Sequence, residues 1–362
     1  MERARLPLDW TNILFLTFSP FIALVWSLCY ALHYGTPAAL LWLFMAMYLA
    51  TGFSITAGYH RYFTHSSYKA STWLKVAYLV FGACALENSV VHWADDHRLH
   101  HRYTDTDNDP YQAGRGFWYS HMGWIFYQTP KNRDFSMVED LLADPWVRWQ
   151  HRHILAVGLM AGLGLPLAIG LAIGHPIGAL LWGGLIRIVA VHHATFSINS
   201  LAHMVGGQPY SKANSSHDNS WLALLTNGEG YHNFHHKFPS DYRNGVRWYQ
   251  WDPTKWLIAA LSVLRVTRRL HRTTSSQILK ARLDVEALNA EICLGKIPDG
   301  LVEMWRSRLA SARQSLEQTL AGAEARKTYG KAQWKKYLVR LEEDQKQWRE
   351  LIRNVGGAVP RT

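Results

Sequence analysis

The hydrophobic residues of the chain are concentrated in four long stretches that alternate with polar and charged segments. These stretches cover residues 12–32, 38–57, 154–174 and 177–197. A helix needs about 20 consecutive apolar residues to cross a lipid bilayer, and each stretch is about that long. The pattern therefore predicts an integral membrane protein with four transmembrane helices.

Two further apolar segments fit this description less well. Residues 73–91 are apolar but include Lys75, Glu87 and Asn88, which are costly in the interior of a bilayer. Residues 256–266 are too short to span, and they predict a helix that lies at the membrane interface.

The distribution of Lys and Arg in the connecting segments predicts the topology. The short turns at residues 34–37 and 174–176 contain neither, whereas the other connections are rich in basic residues. Because basic loops remain in the cytoplasm, we expect the two bare turns outside and both termini inside. The spans then form two hairpins, and residues 73–91 stay on the cytoplasmic side. Arg187, halfway along the fourth span, is expected to face the interior and to pair with Glu87 or a backbone carbonyl.

The chain has a different character from about residue 271 onward. Charge is dense there, and apolar residues such as Val285 and Leu288, or Leu338 and Leu341, recur at helical spacing. This pattern predicts a soluble helical hairpin or short coiled coil, broken near residues 298–300. We therefore divide the chain into a membrane domain at 1–270 and a charged helical extension at 271–362, in which no chemistry is visible.

Composition narrows the classes of partner. The 362 residues carry a net charge of +11, only 18% of them are charged, and 17 are Trp, which is typical of aromatic belts at membrane interfaces. A basic surplus suits nucleic acid or anionic lipid. Since no nucleic-acid-binding motif is present, we expect membrane lipid and no nucleic acid. Cys29, Cys84 and Cys293 are far apart, which excludes a disulfide framework and a cysteine-ligated metal site; we expect buried thiols.

Three histidine clusters carry the candidate chemistry. They are His60-Arg-Tyr-Phe-Thr-His65, His97-Arg-Leu-His-His101 and His232-Asn-Phe-His-His236. The second and third have the spacing i, i+3, i+4, which places three imidazoles on one face of a helix. The first has the spacing i, i+5, which separates its imidazoles by roughly 140° on an ideal helix with about 100° per residue. That pair converges only near a helix end or around two neighbouring metals.

The number of histidines predicts how many metal ions bind. Neutral imidazole is a good ligand for iron, copper, zinc and nickel. Eight imidazoles exceed what one ion can hold, so the clusters predict two ions at the cytoplasmic membrane surface. The expected fold is all-α and membrane-integral: four transmembrane helices in two hairpins, a cytoplasmic histidine-rich di-metal cap and the C-terminal soluble helical hairpin.

In order and placement, the clusters resemble the histidine boxes of the integral-membrane fatty acyl desaturases, specifically the acyl-CoA Δ9 (stearoyl-CoA-type) branch. Longer strings agree with the same family: Thr56-Ala-Gly-Tyr-His-Arg61, Asp96-His-Arg-Leu-His-His101, Arg115-Gly-Phe-Trp-Tyr-Ser-His-Met-Gly-Trp124 and Gly228-Glu-Gly-Tyr-His-Asn-Phe-His-His236. The resemblance covers roughly residues 10–270.

The resemblance implies a ligand set and a reaction. It adds His203, as a ninth imidazole, and Asn199, which would reach a metal through water. The other eight are His60, His65, His97, His100, His101, His232, His235 and His236. In this family the metals are two Fe²⁺ ions, and O₂ is the co-substrate. The implied product is a cis-monounsaturated acyl chain, and breaking an unactivated C–H bond requires such a redox cofactor.

Further residues follow from the same comparison and from the rule that ligating imidazoles bond to nearby carboxylates. The candidates beside the ligands are Asp96, Asp109 and Glu229. The candidates for an acyl-chain tunnel are Tyr48, Gly52, Trp93, Thr195 and Phe196. The candidates for binding an anionic headgroup are Asn88, Arg98, Arg102 and Arg115.

Two departures from the family pattern leave alternatives open. Animal members have Arg where this chain has Asp95, so acyl-CoA is the first choice of substrate and a phospholipid acyl chain remains open. No haem-binding H-P-G-G motif occurs, so we expect a separate electron donor of the ferredoxin, rubredoxin or cytochrome b5 type. A histidine-box di-iron hydroxylase is the other alternative. We expect a multi-pass protein of a bacterial inner membrane.

Overall fold

The computed structural model describes residues 7–128, 133–296, 299–321 and 331–358. The chain forms two compact units. The first contains Met1–Gly207 and Asn214–Arg272, and the second contains Gln208–Ala213 and Thr273–Thr362. Arg3, Arg5, Lys131 and Pro298 lie outside the described residues.

The described part of the first unit is mainly helical. In chain order its helices are α1 (Trp10–Tyr34), α2 (Ala38–Thr64), α3 (Thr72–Ala83), α4 (Val90–Tyr103), α5 (Phe117–His121), α6 (Glu139–Leu142), α7 (Pro145–Arg152), α8 (Ile154–Ala172), α9 (Pro176–His203), α10 (Ser220–Leu225), α11 (His232–Lys237) and α12 (Pro253–Val263). Two short strands, β1 (Lys69–Ala70) and β2 (Thr267–Arg268), pair antiparallel.

Four of these helices, α1, α2, α8 and α9, are long and apolar enough to cross a membrane. They coincide with the four predicted spans, but α2 and α9 continue beyond the apolar residues into the histidine-bearing segments. Helix α1 begins at an N-cap, where the Asp9 carboxylate accepts a bond from the Asn12 N–H at 3.0 Å. Most of its large apolar side chains are exposed, as expected for contact with lipid.

Two glycines allow the spanning helices to turn and to pack closely. The turn between α1 and α2 passes through Gly35 at φ 68°, a conformation that glycine adopts without strain. Gly178 in α9 packs so tightly that a Cβ would lie 2.5 Å from Leu40 and 2.6 Å from the Tyr30 hydroxyl. The backbone of α9 therefore lies directly against α1 and α2.

Arg187 is fully buried within α9 and is satisfied by backbone oxygens. Its guanidinium donates to the carbonyls of Gly183 at 3.1 Å and Gly162 at 2.7 Å, and also to that of Cys84. The interior position predicted from sequence is confirmed, with carbonyls rather than Glu87 as the partners. Arg187 thus ties α9 to α8 and to the end of α3.

Replacing Arg187 is expected to destabilise this helix packing. Arg187→Met would leave three buried carbonyls without their donor, at a cost of about 1–3 kcal/mol each. Arg187→Lys keeps the charge and one donor group, so its loss of stability should be smaller. Thermal unfolding of the three proteins in the same detergent tests this order. Equal melting temperatures for wild type and Arg187→Met would contradict it.

The ambiguous segment at residues 73–91 is two separate elements. Helix α3 ends at Ala83, after 12 residues, and α4 begins at Val90. The connection between them includes Leu86 and Asn88, both at positive φ, which interrupts helical geometry. The segment is therefore too short to form a continuous spanning helix. The predicted interfacial helix corresponds to α12, which begins three residues earlier, at Pro253.

The described part of the second unit contains three helices, α13 (Ser275–Leu294), α14 (Asp299–Ala321) and α15 (Lys331–Ala358), where the sequence predicted a hairpin of two. Helix α13 begins with a capping box of Thr274 and Gln277. The three helices share a core that includes Leu283, Leu316 and Trp348. The additional helix is α14. One of its buried core positions is Ala312, and an alanine makes the hydrophobic pattern of the helix less distinct in the sequence.

The cysteines are not all buried as predicted from sequence. Cys84 is buried, Cys293 is partly buried and Cys29 is exposed. Cys29 lies on the exposed apolar surface of α1, so its thiol is not part of the protein core.

Candidate metal centre

The first histidine pair is brought together by a change of helix type. Helix α2 becomes a π-helix from Ser54 to Thr64, and the His65 N–H bonds to the His60 carbonyl at 3.1 Å. This is an i to i+5 bond, so residues five apart lie one above the other. The imidazole centroids of His60 and His65 are consequently 4.9 Å apart. The wide separation expected on an α-helix therefore does not apply.

The nine imidazoles form two groups, and all nine are those expected from sequence and resemblance. The first group contains His60, His65, His97, His101 and His235; the second contains His100, His203, His232 and His236. Within each group, one nitrogen from every ring lies within 4.8 Å of the others. Neighbouring residues are divided between the groups: α4 supplies two rings to the first and one to the second, and α11 does the reverse. The two groups therefore lie side by side.

The distances between facing nitrogens are similar throughout. In the first group, His235 Nε2 is 3.0 Å from His60 Nε2 and 2.8 Å from His101 Nε2. In the second, His232 Nε2 is 3.1 Å from His203 Nε2 and 3.0 Å from His236 Nε2. The His101 and His236 rings stack at 4.3 Å between the groups.

These distances fit rings that share a metal ion. Two metal–nitrogen bonds of about 2.1 Å at a right angle separate their nitrogens by about 3.0 Å. Burial, reinforced by neighbouring rings, lowers the pKa of His97, His101, His235 and His236 well below the usual value, so these imidazoles are neutral and can act as ligands. Among the described residues, the buried Nε2 of His65 has no hydrogen-bond partner, as expected of a ligand atom. Each group can therefore hold one metal.

Buried carboxylates hold one ligand of each group from behind. Glu229 Oε2 lies 2.8 Å from His60 Nδ1, and Asp109 Oδ1 lies 2.9 Å from His100 Nδ1. Both contacts direct the opposite nitrogen, Nε2, into the group. Burial would raise the pKa of Glu229, but the charge of Arg61 and the hydrogen bonds from His60 and Arg61 outweigh it and hold that pKa below its usual value.

Glu229 belongs to a buried ionic network that sequence reasoning missed. Arg61, which is 1% exposed, donates to Glu229 Oε1 at 2.9 Å and to Asp252 Oδ1 at 3.0 Å. The Asn244 amide donates to Glu229 Oε2 at 2.5 Å. Arg61 directly follows His60 at the end of an apolar span. A charged residue in such a position needs a partner of opposite charge, and this is the sequence feature that could have indicated the network. Nothing in the sequence indicated its partner Asp252.

Asp96 and Asn199 have other surroundings. Asp96 accepts a bond from Arg133 at 2.8 Å, and Arg133 also bonds to Asp95. Asn199 lies on α9 one turn before His203. The second group has four imidazoles against five in the first, so a water held by Asn199 would supply a further ligand. The predicted roles of Asp96 and Asn199 beside the metals stay predictions.

Of the tunnel candidates, Trp93 lies next to the metal groups. Its ring stacks on His97 with centroids 5.0 Å apart, and its Nε1 donates to Glu87 at 3.4 Å. Burial raises the pKa of Glu87 to about 8, although bonds from Thr195 and Trp93 act in the opposite direction. Phe196 stacks on His192 at 5.3 Å.

The remaining tunnel candidates are on α2. The Tyr48 hydroxyl donates to the Leu225 carbonyl at 3.0 Å. A Cβ on Gly52 would lie 2.8 Å from the Asn227 side chain, which leaves no room for a larger residue unless that side chain moves. Tyr48 therefore contacts the last residue of α10, and Gly52 packs against the segment that follows it.

The headgroup candidates differ in how far their side chains are already bound. Arg98 donates to the Phe63, Thr64 and Met137 carbonyls and to Asp140. Arg102 and Arg115 are exposed, and Arg115 stacks over Tyr119 at 3.7 Å. Asn88 accepts a bond from the Ser89 N–H. Arg102 donates to the Met137 sulfur at 3.4 Å and Arg115 to Gln112 Oε1 at 3.3 Å. Both are more exposed than Arg98, so among these candidates their guanidinium groups are the more accessible to an external anion.

The known proteins that are similar to this chain indicate a single family. A family model described as fatty acid desaturase matches residues 34–272. A probable acyl-CoA desaturase of Schizosaccharomyces pombe is 47% identical over 64% of this chain and 49% of its own length. Acyl-CoA desaturase 1 of Saccharomyces cerevisiae is 42% identical over 77% of this chain and 55% of its own length. Stearoyl-CoA desaturase 5 of Bos taurus is 35% identical over 77% of this chain and 84% of its own length. The chain spans about half the length of the two yeast relatives.

Proposed function

This chain belongs to the fatty acid desaturase family, and from that premise we propose that it introduces a cis double bond into a fatty acyl chain at the expense of O₂. The observation that carries the proposal is that two neighbouring groups of imidazoles share the second and third histidine boxes. Each group has enough imidazoles to bind one metal ion. Two neighbouring ions suit a reaction in which both atoms of O₂ are reduced.

We propose Fe²⁺ as the metal in both groups. Imidazole nitrogen binds iron, copper, zinc and nickel, so the ligands alone leave four candidate metals. Zinc has no redox states and cannot serve here. Bound iron would supply the one-electron chemistry with O₂ that cleavage of an unactivated C–H bond requires.

The electron balance calls for a reduced carrier. Reduction of O₂ to two waters takes four electrons and four protons. The acyl chain gives two of each when two C–H bonds become a C=C bond. The other two electrons must come from a donor, which we propose to be a separate ferredoxin, rubredoxin or cytochrome b5, and the other two protons come from solvent. The +11 net charge of the chain favours association with an acidic carrier.

The protein's own residues position the ligands and exclude water. Glu229 and Asp109 fix the orientation of His60 and His100, so that the Nε2 atoms face inward before any metal binds. All nine rings are buried or partly buried. Trp93 covers His97, and it therefore lies where an acyl chain would approach the first group.

We propose an acyl-CoA as substrate, in line with the names of the three relatives. We propose the Δ9 position as the site of the double bond, as the resemblance of the histidine boxes implies. Arg102 and Arg115 would contact its phosphates, since exposed guanidinium groups bind phosphate oxygens in pairs. Asn88 and Arg98 remain candidates with their side chains already bonded. Arg133, which is held beside Asp95, places a guanidinium near the position where animal relatives have Arg.

The proposed orientation follows from the basic loops. We propose that both termini and the metal centre face the cytoplasm, with the turns at residues 34–37 and 174–176 on the other side. A bacterial inner membrane is the proposed location.

Tyr48 is proposed to limit the length of the acyl chain from α2. Tyr48→Ala removes the ring and is expected to shift products towards chains longer by a few carbons. Tyr48→Phe removes only the bond to the Leu225 carbonyl and should keep the wild-type profile. The measurement is the chain-length distribution of monoenes formed from a mixture of saturated substrates. An unchanged distribution in Tyr48→Ala would show that another residue closes the tunnel.

Reconstitution tests the proposed reaction and the acyl carrier together. The purified protein would be supplied with O₂, a reduced ferredoxin or cytochrome b5, and either stearoyl-CoA or phospholipid vesicles with the same acyl chain. One O₂ consumed per cis double bond, with stearoyl-CoA as substrate, is expected. Desaturation of the vesicle lipid alone would identify a phospholipid desaturase. A hydroxylated acyl chain would identify a hydroxylase and contradict the proposal.

A further inference from the structure

Among the nine imidazoles, His203 is the one that lies outside the three histidine boxes. It occupies a tight turn at the end of α9, over Leu201–His203. Its Nε2 faces the second group, 3.1 Å from His232 Nε2. Its other nitrogen, Nδ1, lies 2.8 Å from the Ser215 hydroxyl oxygen. An alcohol rather than a carboxylate thus contacts this ligand from behind.

The Ser215 hydroxyl is itself held by a carboxylate. Its Oγ donates to Asp105 Oδ1 at 2.5 Å, and the Ser215 backbone N–H donates to Asp105 Oδ2 at 2.6 Å. Because a hydroxyl has one proton and that proton goes to Asp105, Oγ accepts the bond from His203. His203 must then carry its proton on Nδ1. The lone pair of Nε2 is left to face the metal group.

Asp105 is connected in turn to a second ligand of the same group. Its N–H donates to Asp109 Oδ2 at 3.1 Å, and Asp109 Oδ1 contacts His100 Nδ1 at 2.9 Å. A continuous chain of hydrogen bonds therefore runs from His100 through Asp109, Asp105 and Ser215 to His203. Asp105 has φ 64°, a left-handed conformation that Asp tolerates better than most residues.

We propose that Ser215 and Asp105 are positioning residues for the metal of the second group, an inference that rests on the proposed metal centre. Their task is to hold His203 in one tautomer and one orientation. The second group has four imidazoles, so a misplaced His203 removes a quarter of its protein ligands. Loss of a partner of this kind usually costs about 10–100-fold in metal affinity.

The test is anaerobic titration of the metal-free full chain with Fe²⁺, which needs no substrate and no turnover. Ser215→Ala is expected to leave the first equivalent of iron bound as in wild type and to weaken the second by about 10–100-fold. Asp105→Asn should weaken it less, because an amide oxygen still accepts the hydroxyl proton. Ser215→Thr keeps the hydroxyl and should restore binding.

A matched control comes from the same turn. Asp107 is exposed, like Asp105, and its backbone carbonyl rather than its carboxylate accepts the bond from Gln112. Asp107→Asn therefore makes the same change of charge and should bind both irons as wild type does. Melting temperatures of the metal-free variants would separate a local effect from general unfolding.

Different failures have different meanings. Two irons bound with wild-type affinity by Ser215→Ala would overturn the positioning role alone. So would a Ser215→Thr variant as weak as Ser215→Ala, since packing rather than the hydroxyl would then be responsible. A wild-type chain that binds no Fe²⁺ would overturn the proposed metal centre, and this inference with it.

Discussion

Replacement of His235 by alanine is expected to abolish desaturation and to remove iron from the first group. His235 Nε2 lies 3.0 Å from His60 Nε2 and 2.8 Å from His101 Nε2, so its loss opens the middle of the five-ring group. The fall in activity should exceed the 10–100-fold typical of residues that only support ligands, with about 1% or less remaining. Product formation per chain and iron per chain are the two measurements.

A control for this variant must remove a histidine without touching the centre. His153 is exposed at the end of α7, outside both groups. His153→Ala should retain its iron and its product. Retention of iron and activity by His235→Ala would contradict the assignment of this ring as a ligand.

The second large effect is expected from Glu229→Gln. The substitution preserves the shape of the side chain but removes a fully buried negative charge from between His60 and Arg61. Removing one partner of a buried ion pair costs about 3–5 kcal/mol, and the remaining bond to Asp252 should keep the loss near the lower end. His60 also loses the carboxylate that orients it, so iron affinity in the first group should fall by about 10–100-fold.

Asp252→Asn separates the two consequences. Asp252 bonds to the same guanidinium, but it contacts Arg61 and backbone N–H groups rather than an imidazole. The Asn variant should therefore melt at a lower temperature while keeping most of its iron affinity. Iron titration and thermal unfolding of both variants would reveal the difference. An equal loss of iron affinity in both would mean that Glu229 acts only through stability.

The spans and the histidine boxes could be predicted because they are local patterns. Four apolar stretches and spacings of three and four residues depend on near neighbours in the sequence. The C-terminal ends of the spanning helices were harder to predict, because α2 and α9 continue as helices past their apolar residues. The π-helix at Ser54–Thr64 could not be predicted, because the spacing of His60 and His65 has meaning only once the helix type is known.

Contacts between residues far apart in the chain could not be predicted from the sequence. His203 was found only through the family resemblance, because a single His after a span has no distinctive spacing. Arg61 meets Asp252 across 191 positions, and Asp105 meets Ser215 across 110. Such pairs depend on how the loops fold back over the ends of the spans, and no periodicity records them.

The most direct test of the central claim is the fatty-acid profile of a host that lacks its own desaturase, measured by gas chromatography and mass spectrometry with location of the double bond. The host would express the intact chain, His235→Ala or His153→Ala, together with ferredoxin and its reductase. The account predicts a new cis-monoene with the intact chain and with His153→Ala, and none with His235→Ala. A hydroxylated product, or the same monoene from His235→Ala, would contradict it.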